Sequence, residues 1–301
     1  MSQSTGLIKR RIKSVSNTKK ITKAMELVSV AKMKKAVARV LASRSYSDLA
    51  WEIAQEFSAG AAEDKHPLLA ERRPVKKILL LLITSDRGLC GGFNAQIVRE
   101  VSKYLKIESE TTIDAVACGK FGRRAMVKVK NNVVAFFQDL ANNPIYEDIL
   151  PVGRLIVDEY KKENYDKVML AFTDYVSTIE QAPRVVQLLP LVKTAGLGEV
   201  AGAEPAVDAE QSRGIEYKFE PDMSKVLDLL LPRLIETKVY QAILESAASE
   251  HSARMMAMKN ASDAAEDMLD DLTFTFNQLR QSGITREISE IAGGKAVLER
   301  T

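Results

Sequence analysis

Apolar residues in the last third of the chain recur at steps of three and four positions, the spacing of one face of an α-helix. After a slip of one place the stripe continues, and its members are Leu269, Leu272, Phe276, Leu279, Ile284, Ile288 and Ile291. Neither Gly nor Pro occurs between Pro232 and Gly283. The pattern predicts one helix of about 50 residues, roughly 75 Å long. Its heptad stripe needs a second helix or a surrounding sleeve to cover it.

The other end of the chain predicts a second long helix. Residues 7–59 contain no Gly or Pro. They carry their own apolar stripe with a slip, formed by Ile8, Ile12 and Val15 and then by Ile21, Met25 and Val28. Because each helix presents a stripe that the other can cover, we predict an antiparallel coiled coil of the two ends.

The middle of the chain has the alternating pattern of an α/β domain. Residues 77–84 are a continuous apolar run, typical of a strand buried on both faces. Further strand-like runs lie at 113–118, 133–137, 168–172 and 185–192, with helix-like stretches at 96–104 and 152–162. This alternation predicts a small, mostly parallel, Rossmann-like sheet inserted between the helices.

These patterns divide the chain into three predicted parts. Residues 1–66 are the N-terminal coiled-coil helix, 67–214 the α/β domain and 215–301 the C-terminal coiled-coil helix. Residues 195–214 are rich in Gly, Ala and Glu and lack periodicity, so they are expected to form a loop leading back to the last helix.

Composition excludes several classes of protein. The chain has 301 residues and an apolar fraction of 46%, ample for a globular core. Its two cysteines, Cys90 and Cys118, and two histidines, His66 and His251, are too few for a metal cage or a disulfide framework. No metal site is therefore expected, and a reducing compartment is the simpler inference. Without a membrane-length apolar run or a hydrophobic signal core, we expect a soluble chain that can sit beside a membrane.

Charge is concentrated at the N-terminus. The first 40 residues hold eleven Lys or Arg and one acid, Glu26, which predicts an acidic partner. A solvated helix face is the plain alternative, but the imbalance is too large for it. A mitochondrial presequence would not continue into an apolar-striped helix. Nucleic-acid binding stays open as an alternative, although aromatic residues are absent until Tyr46 and no nucleic-acid motif is found.

The sharpest local motif is the loop SDRGLCGGFN at residues 85–94, directly after the first strand. Glycine-rich turns at that place hold phosphates in many α/β folds. This loop fits neither G-x-G-x-x-G nor the P-loop, because no Lys-Ser/Thr pair follows its glycines. A tight structural turn is the better explanation, and Cys90, which has no base nearby in sequence, is expected to be a packed thiol. A nucleotide-dependent enzyme using this loop is kept as an alternative.

Four blocks of sequence carry a family resemblance. They are NTKKITKAMELVSVAKM at 17–33, SDRGLCGGFN, SEHSARMMAMKN at 249–260, and RQSGITREISE at 280–290 with the trailing IAGG. In this order, and joined by the predicted helix, sheet and helix, they resemble the gamma subunit of F-type ATP synthase over essentially the whole chain. Both cysteines lie in the sheet portion, so the resemblance is to the bacterial type, which lacks the plastid segment with its regulatory cysteine pair.

The resemblance implies a rotating shaft without catalytic residues or cofactor. One copy per complex would turn inside a ring of alternating alpha and beta subunits, its foot on the epsilon subunit and the membrane ring of c subunits. It would couple ion flow through the c ring to ATP synthesis or hydrolysis at the alpha/beta sites. The chain would lie peripherally on the cytoplasmic face of the bacterial plasma membrane and would bind no nucleic acid.

Individual residues match family positions. Contacts with the alpha/beta ring are implied for five residues: Met25, Arg254, Gln281, Thr285 and Glu287. Contacts with the c ring and epsilon are implied for Tyr217 and Glu220. The basic strip of Lys19, Lys20 and Lys23 is expected to face an acidic beta-subunit lever. For Met25, which lies on an apolar stripe, packing within the coiled coil is an equally good explanation.

Overall fold

The computed structural model describes residues 2–57, 66–108, 110–191 and 223–298. Two long helices bracket five strands and three shorter helices. In chain order the elements are α1 (Ser2–Phe57), β1 (Lys77–Ile83), α2 (Phe93–Ile107), β2 (Thr112–Cys118), α3 (Lys120–Lys128), β3 (Val133–Phe137), α4 (Tyr146–Lys161), β4 (Lys167–Tyr175), β5 (Gln181–Leu189) and α5 (Met223–Leu298). The predicted fold class, long terminal helices with an inserted α/β domain, is confirmed.

The five strands form one sheet in the order β3-β2-β1-β4-β5. Strand β1 pairs in parallel with β2 and β4, β2 pairs in parallel with β3, and β5 runs antiparallel to β4. The sheet is thus mostly parallel, as predicted. All five predicted strands exist: β3 has the predicted ends, and the ends of the other four differ from the prediction by at most four residues.

The central strand β1 explains why the sheet is covered on both faces. Its side chains are buried from Ile78 to Ile83 and alternate between two cores. Leu79 and Leu81 pack into the core that contains α4 and the first part of α5. Leu80 and Leu82 pack into the core that contains α2 and α3. A run without polar residues therefore produces a three-layer α/β/α domain.

Helix α5 is longer than the sequence pattern predicted. It has 76 residues, and neither Pro232 nor Gly283 ends it. A proline within a helix removes one backbone hydrogen bond and strains the preceding turn. Around Pro232 the residues Leu231, Leu234 and Ile235 are fully or almost fully buried in the core of the sheet domain, so their burial holds the helix together across the break.

The chain divides into two compact units. One comprises residues 1–28 and 255–301, and the other comprises residues 29–254. Hence α1 and α5 each contribute to both. The predicted domain boundaries after residues 66 and 214 stay a prediction, and the predicted loop at 195–214 lies outside the described residues.

In the smaller unit, the ends of α1 and α5 pack as an antiparallel pair. Lys19 Nζ lies 2.9 Å from Glu266 Oε1, and Thr22 Oγ1 lies 2.7 Å from Ser262 Oγ. The α5 number falls as the α1 number rises, so the helices run in opposite directions. The predicted antiparallel coiled coil is confirmed.

The seam of this pair differs from the predicted stripe in α1. Half-buried positions follow an unbroken three-and-four alternation through Thr5, Ile8, Ile12, Val15, Lys19, Thr22 and Glu26. Ile21 and Val28, predicted to continue the stripe after a slip, are instead 60% and 56% exposed. The prediction of a slip in α1 is wrong. The heptad spacing continues without a slip, but its later seam positions are polar, so they cannot be recognised from the spacing of apolar residues.

The last part of α5 extends past its partner. In the antiparallel pair, Lys19 faces Glu266, and each residue closer to the start of α1 faces a residue correspondingly closer to the end of α5. Continued to Ser2, where α1 begins, this pairing places Gly283 opposite the start of α1. Beyond it, Ile284, Ile288 and Ile291 are at least half exposed. Among the described residues, α1 therefore offers nothing to cover this stripe. No helix in the described ranges combines the length and the apolar character needed to cross a membrane.

Candidate partner-binding surfaces

The outer surface of the helix pair exposes large apolar side chains. Phe274 is 72% and Ile291 73% exposed, and the exposed fraction is also at least half at Leu7, Ile21, Leu27, Val28, Met268, Ile284 and Ile288. Single exposed apolar residues are ordinary, but a concentration of them along one pair of helices marks a surface that a partner covers.

Three of the predicted ring contacts lie on this surface. Gln281, Thr285 and Glu287 are exposed on α5 near or beyond the point where α1 begins. Met25 is only half-buried, so part of it is accessible while part contacts its own unit. The structure thus places four of the five residues where a partner can reach at least part of each.

The basic strip is partly neutralised within the chain. Lys19 is half-buried on the seam and paired with Glu266 of α5, while Lys23 Nζ lies 2.9 Å from Glu26 Oε2 on its own helix. Lys20 is exposed. Of the three, Lys20 is thus the lysine whose charge is directed to solvent without an ion pair among the described residues.

The fifth predicted ring contact, Arg254, is directed into the chain's own larger unit. It is 7% exposed, and its Nη2 donates to Glu250 Oε1 at 2.7 Å. The same guanidinium donates to the backbone carbonyl oxygens of Arg87 and Gly88 at 3.2–3.3 Å, and its Nη1 to His251 Nδ1 at 3.3 Å. Arg254 therefore fastens α5 to the loop that follows β1.

Burial shapes the titration of the groups around Arg254. Desolvation raises the pKa of Glu250, and the nearby guanidinium opposes that shift. Desolvation, together with the positive charges of Arg254 and Lys32, lowers the pKa of His251 to about 4. His251 is therefore neutral at physiological pH. Because its Nδ1 accepts from Arg254, its proton lies on Nε2.

The loop at 85–94 is closed by its own side chains. Ser85 N–H donates to Asn94 Oδ1 at 3.1 Å, and Asn94 Nδ2 donates to Ser85 Oγ at 2.7 Å. Asp86 accepts backbone N–H groups of Lys120 and Asp139, which ties the loop to the segments after β2 and β3. These hydrogen bonds hold the loop in one conformation, as expected of a structural turn.

Both cysteines are buried, and burial raises the pKa of each thiol. Neither is therefore in the thiolate form that a nucleophile requires at neutral pH. In the described part of the chain, no three His, Cys, Asp or Glu residues are grouped to hold a metal ion. Tyr217 and Glu220, the predicted foot contacts, lie outside the described residues.

Sequence reasoning missed the partners of Arg254. Glu250 lies four residues before Arg254 on α5, the spacing at which opposite charges meet on a helix. That spacing was available in the sequence as a signal for an internal ion pair. The role of Asp86 had no comparable signal, since its two donors come from distant parts of the chain.

Comparison with known proteins agrees with this architecture. The family model described as ATP synthase matches residues 4–298. An ATP synthase gamma chain from Dehalococcoides mccartyi is 43% identical over 294 residues, which cover 97% of this chain and 98% of the relative. A gamma chain from Herpetosiphon aurantiacus is 40% identical over 302 residues, with 97% and 98% covered.

Solved structures show the same fold. A chain in the cryo-EM structure of Euglena gracilis mitochondrial ATP synthase, OSCP/F1/c-ring in rotational state 3, matches with a TM-score of 0.67 at 17% identity, covering 99% of this chain and 95% of that chain. A chain of the Tetrahymena thermophila mitochondrial central stalk/c-ring structure matches with a TM-score of 0.58 at 22% identity, covering 80% and 99%. With the family model and the relatives matching along nearly its whole length, this chain belongs to the ATP synthase gamma chain family.

Proposed function

We propose that this chain is the rotating central shaft of the F1 part of a bacterial ATP synthase. One copy per complex would couple ion flow through the c ring to ATP synthesis or hydrolysis at the alpha/beta sites. The observation that carries the proposal is the exposed apolar surface of the helix pair, especially Ile284, Ile288 and Ile291 on the part of α5 that extends past α1. A sleeve of partner subunits would cover that surface.

Coupling follows from the asymmetry of the shaft. A pair of helices, continued by a single helix, presents different side chains in different directions. As it turns, each beta subunit would meet a different face in succession, and only a contact that differs between orientations can change nucleotide affinity. Gln281, Thr285, Glu287 and the accessible part of Met25 are proposed to make such contacts with the ring.

The basic face of α1 is proposed to meet an acidic beta-subunit lever. Lys20 is the best placed of the strip, because Lys19 and Lys23 already have acidic neighbours in the chain. Arg254 is proposed to act on the ring only through the loop that it fastens, since its guanidinium is directed inward. Tyr217 and Glu220 are proposed to belong to the foot.

The foot is proposed to bind the c ring and the epsilon subunit. Chains of similar fold come from structures named for a rotor, for F1 with a c-ring and for a central stalk with a c-ring. By analogy the chain would be peripheral on the cytoplasmic face of the plasma membrane. Its predicted parts, 1–66, 67–214 and 215–301, would correspond to shaft, foot and shaft.

We propose further that the chain is non-catalytic and binds neither cofactor nor nucleic acid. The support is the loop at 85–94, which lacks the Lys-Ser/Thr pair of a P-loop and whose Ser85 N–H and Asn94 side chain are bonded to each other within the chain. If the pure chain hydrolysed ATP, this proposal would be abandoned in favour of the alternative that the chain is a nucleotide-dependent enzyme. Tight DNA binding that weakened steeply with salt would instead favour the nucleic-acid alternative.

Two disulfide links test the shaft. Cys90 and Cys118 are first replaced by Ala so that only introduced thiols react. The double variant Thr22→Cys with Ser262→Cys links α1 to α5 within the shaft, at positions where Thr22 Oγ1 and Ser262 Oγ lie 2.7 Å apart. A link from Gln281→Cys to a cysteine in the facing part of a beta subunit joins shaft to ring.

The two links have opposite expected outcomes in the assembled complex. The internal link connects parts that turn together, so ATP turnover survives oxidation. The link to the ring stops sustained turnover, which returns on reduction. Gln281 lies before Gly293 and Gly294, where the helix is most easily unwound, so swivelling beyond the link cannot rescue rotation. Sustained turnover with a complete ring link would leave only a static scaffold.

A further inference from the structure

A cavity in the larger unit is lined by a concentration of positive charge. It has a volume of about 250 Å³. Its walls come from α1, from the segment that precedes α4 and from α5. The lining residues are Lys32, Lys35, Ala36, Arg39, Ala141, Asn142, Asn143, Pro144 and His251. None of them is acidic, although acidic residues are nearly as numerous as basic ones in the whole chain.

The cations on the wall are held by neutral groups. Lys32 Nζ donates to Asn142 Oδ1 at 2.6 Å. Arg39 Nη1 donates to Asn143 Oδ1 at 3.2 Å and to the carbonyl oxygen of Pro144 at 2.7 Å. Lys35 forms no hydrogen bond or ion pair with any described residue. These contacts position two of the cations and neutralise none of the three.

The polar groups left over in the cavity are hydrogen-bond donors. Because Asn142 and Asn143 use their oxygens to accept from Lys32 and Arg39, their amide nitrogens remain as donors. His251 is buried and neutral, and its Nδ1 accepts from Arg254, so Nε2–H is its remaining polar group. Lys32 also lies close enough to the buried Glu250 carboxylate to oppose the rise of its pKa on desolvation, so Lys35 and Arg39 are the two cations without an acidic neighbour among the described lining residues. Two such cations with spare N–H donors beside them are complementary to an oxyanion.

We propose that this cavity binds a small phosphate-class oxyanion, inorganic pyrophosphate or phosphate, in direct contact with Lys35 and Arg39. The volume equals that of about eight water molecules at roughly 30 Å³ each, which suits a compact anion better than a whole nucleotide. Lys and Arg are the side chains that proteins use for phosphate groups. The proposal concerns the larger unit alone and does not depend on the shaft function.

Carboxylates of a protein partner share part of this chemistry and are the competing explanation. The structure favours phosphate because the donors surround a concave site on three segments of chain, whereas a carboxylate lever needs only an exposed basic face. An anion with several oxygens can engage Lys35, Arg39 and the amide donors at once, which a single carboxylate cannot do.

Pyrophosphate binding to the purified full chain tests the proposal. The full chain is used without alpha and beta subunits, whose nucleotide sites would themselves bind the probe. Titration calorimetry is run at about 0.15 M salt, where the Debye length is about 8 Å and non-specific surface attraction is weak. Lys35→Gln removes a cation that lines the cavity, and Lys34→Gln removes its exposed neighbour, which does not. Arg39→Gln is the second cavity variant.

We expect saturable pyrophosphate binding with a stoichiometry of one. Lys35→Gln weakens it by about tenfold, the effect of losing one charge-assisted hydrogen bond, while Lys34→Gln changes it less than about twofold. Lys35 forms no hydrogen bond or ion pair with a described residue, so its replacement is expected to leave the fold intact. Arg39→Gln is expected to weaken binding at least as much as Lys35→Gln.

Three results would each overturn the proposal. One is the absence of saturable pyrophosphate binding at millimolar concentration. Another is an equal loss in Lys34→Gln and Lys35→Gln, which would show general surface attraction. The third is binding of a short glutamate peptide that pyrophosphate does not displace, which would assign the cavity to protein carboxylates.

Discussion

Replacing Arg254 tests the internal anchor between α5 and the loop at 85–94. In Arg254→Met the carboxylate of Glu250, which is 6% exposed, loses its cationic partner, and the carbonyl groups of Arg87 and Gly88 lose their donor. Removing one partner of a buried ion pair costs about 3–5 kcal/mol of unfolding free energy. The double variant Arg254→Met with Glu250→Gln should recover part of that loss, because no charge is then left buried alone.

The pH dependence of Arg254→Met has a definite sign. Burial already raises the pKa of Glu250, and losing the guanidinium raises it further. An acid with a raised pKa in the folded state is protonated there while the unfolded chain releases the proton, so stability falls as pH rises. The deficit of Arg254→Met relative to the natural chain should therefore be largest near pH 7 and shrink toward pH 5.

Urea unfolding, combined with hydrogen exchange at the amides of residues 85–92, measures both effects. A solvent-exposed matched control, Arg286→Met, should leave stability within about 0.5 kcal/mol. If Arg254→Met were equally neutral and exchange in the loop were unchanged, Arg254 would not be an internal anchor, and its predicted role as a direct ring contact would be restored.

Three further outcomes are expected. A double-mutant cycle that reverses the charges of Lys19 and Glu266 singly and together should give a coupling energy of at most about 1 kcal/mol, because both side chains are partly exposed. A larger coupling energy would contradict this. Folding lowers the pKa of His251 to about 4, so its contribution to the free energy of unfolding is fully present above pH 6.5 and is lost as pH falls. The variant His251→Gln should therefore lose about 2 kcal/mol less of its unfolding free energy between pH 7.5 and 5 in denaturant titrations. An unchanged acid sensitivity would show that His251 titrates normally. Gly119→Ala should cost several kcal/mol in thermal unfolding, because Gly119 has φ +100° and the added Cβ would meet the Thr84 carbonyl oxygen; a mild effect would mean that the backbone relaxes there.

The sheet domain could be predicted from sequence where burial leaves a one-dimensional signature. Strand β1 is buried on both faces, so its sequence is apolar without alternation, and β3 was predicted with both ends correct. Helix α3, Lys120–Lys128, was missed. It is only nine residues long and mostly basic or small, so two buried positions, Gly122 and Met126, are all that its pattern offers.

The coiled coil could be predicted as a pair of helices, but its register in α1 could not. Hydrophobic periodicity locates a seam only where the seam is apolar. From Lys19 to Glu26 the seam is polar, and Thr22 meets Ser262 while Lys19 meets Glu266. Ile21 lies beside these residues and is apolar but exposed, so a prediction from apolar positions placed the stripe on the outer surface instead of at the seam.

For the candidate site, the sequence identified residues but not whether each side chain points to solvent or into the chain. Gln281, Thr285 and Glu287 lie on an exposed helix, as a contact surface requires. Arg254 lies on the same helix but is directed inward, because its partners at Arg87 and Gly88 come from a loop more than 160 residues earlier in the chain. Contacts of that sequence separation leave no local pattern.

Direct observation of rotation tests the shaft most directly. The alpha/beta ring is fixed to a surface, and a bead is attached to the sheet domain of this chain through a cysteine replacing the exposed Lys106. With ATP, the bead should turn continuously in one direction, and oxidation of the Gln281→Cys link to a beta subunit should stop it reversibly. ATP hydrolysis by the complex at full rate, with a bead that only fluctuates about one position, would contradict the proposed function.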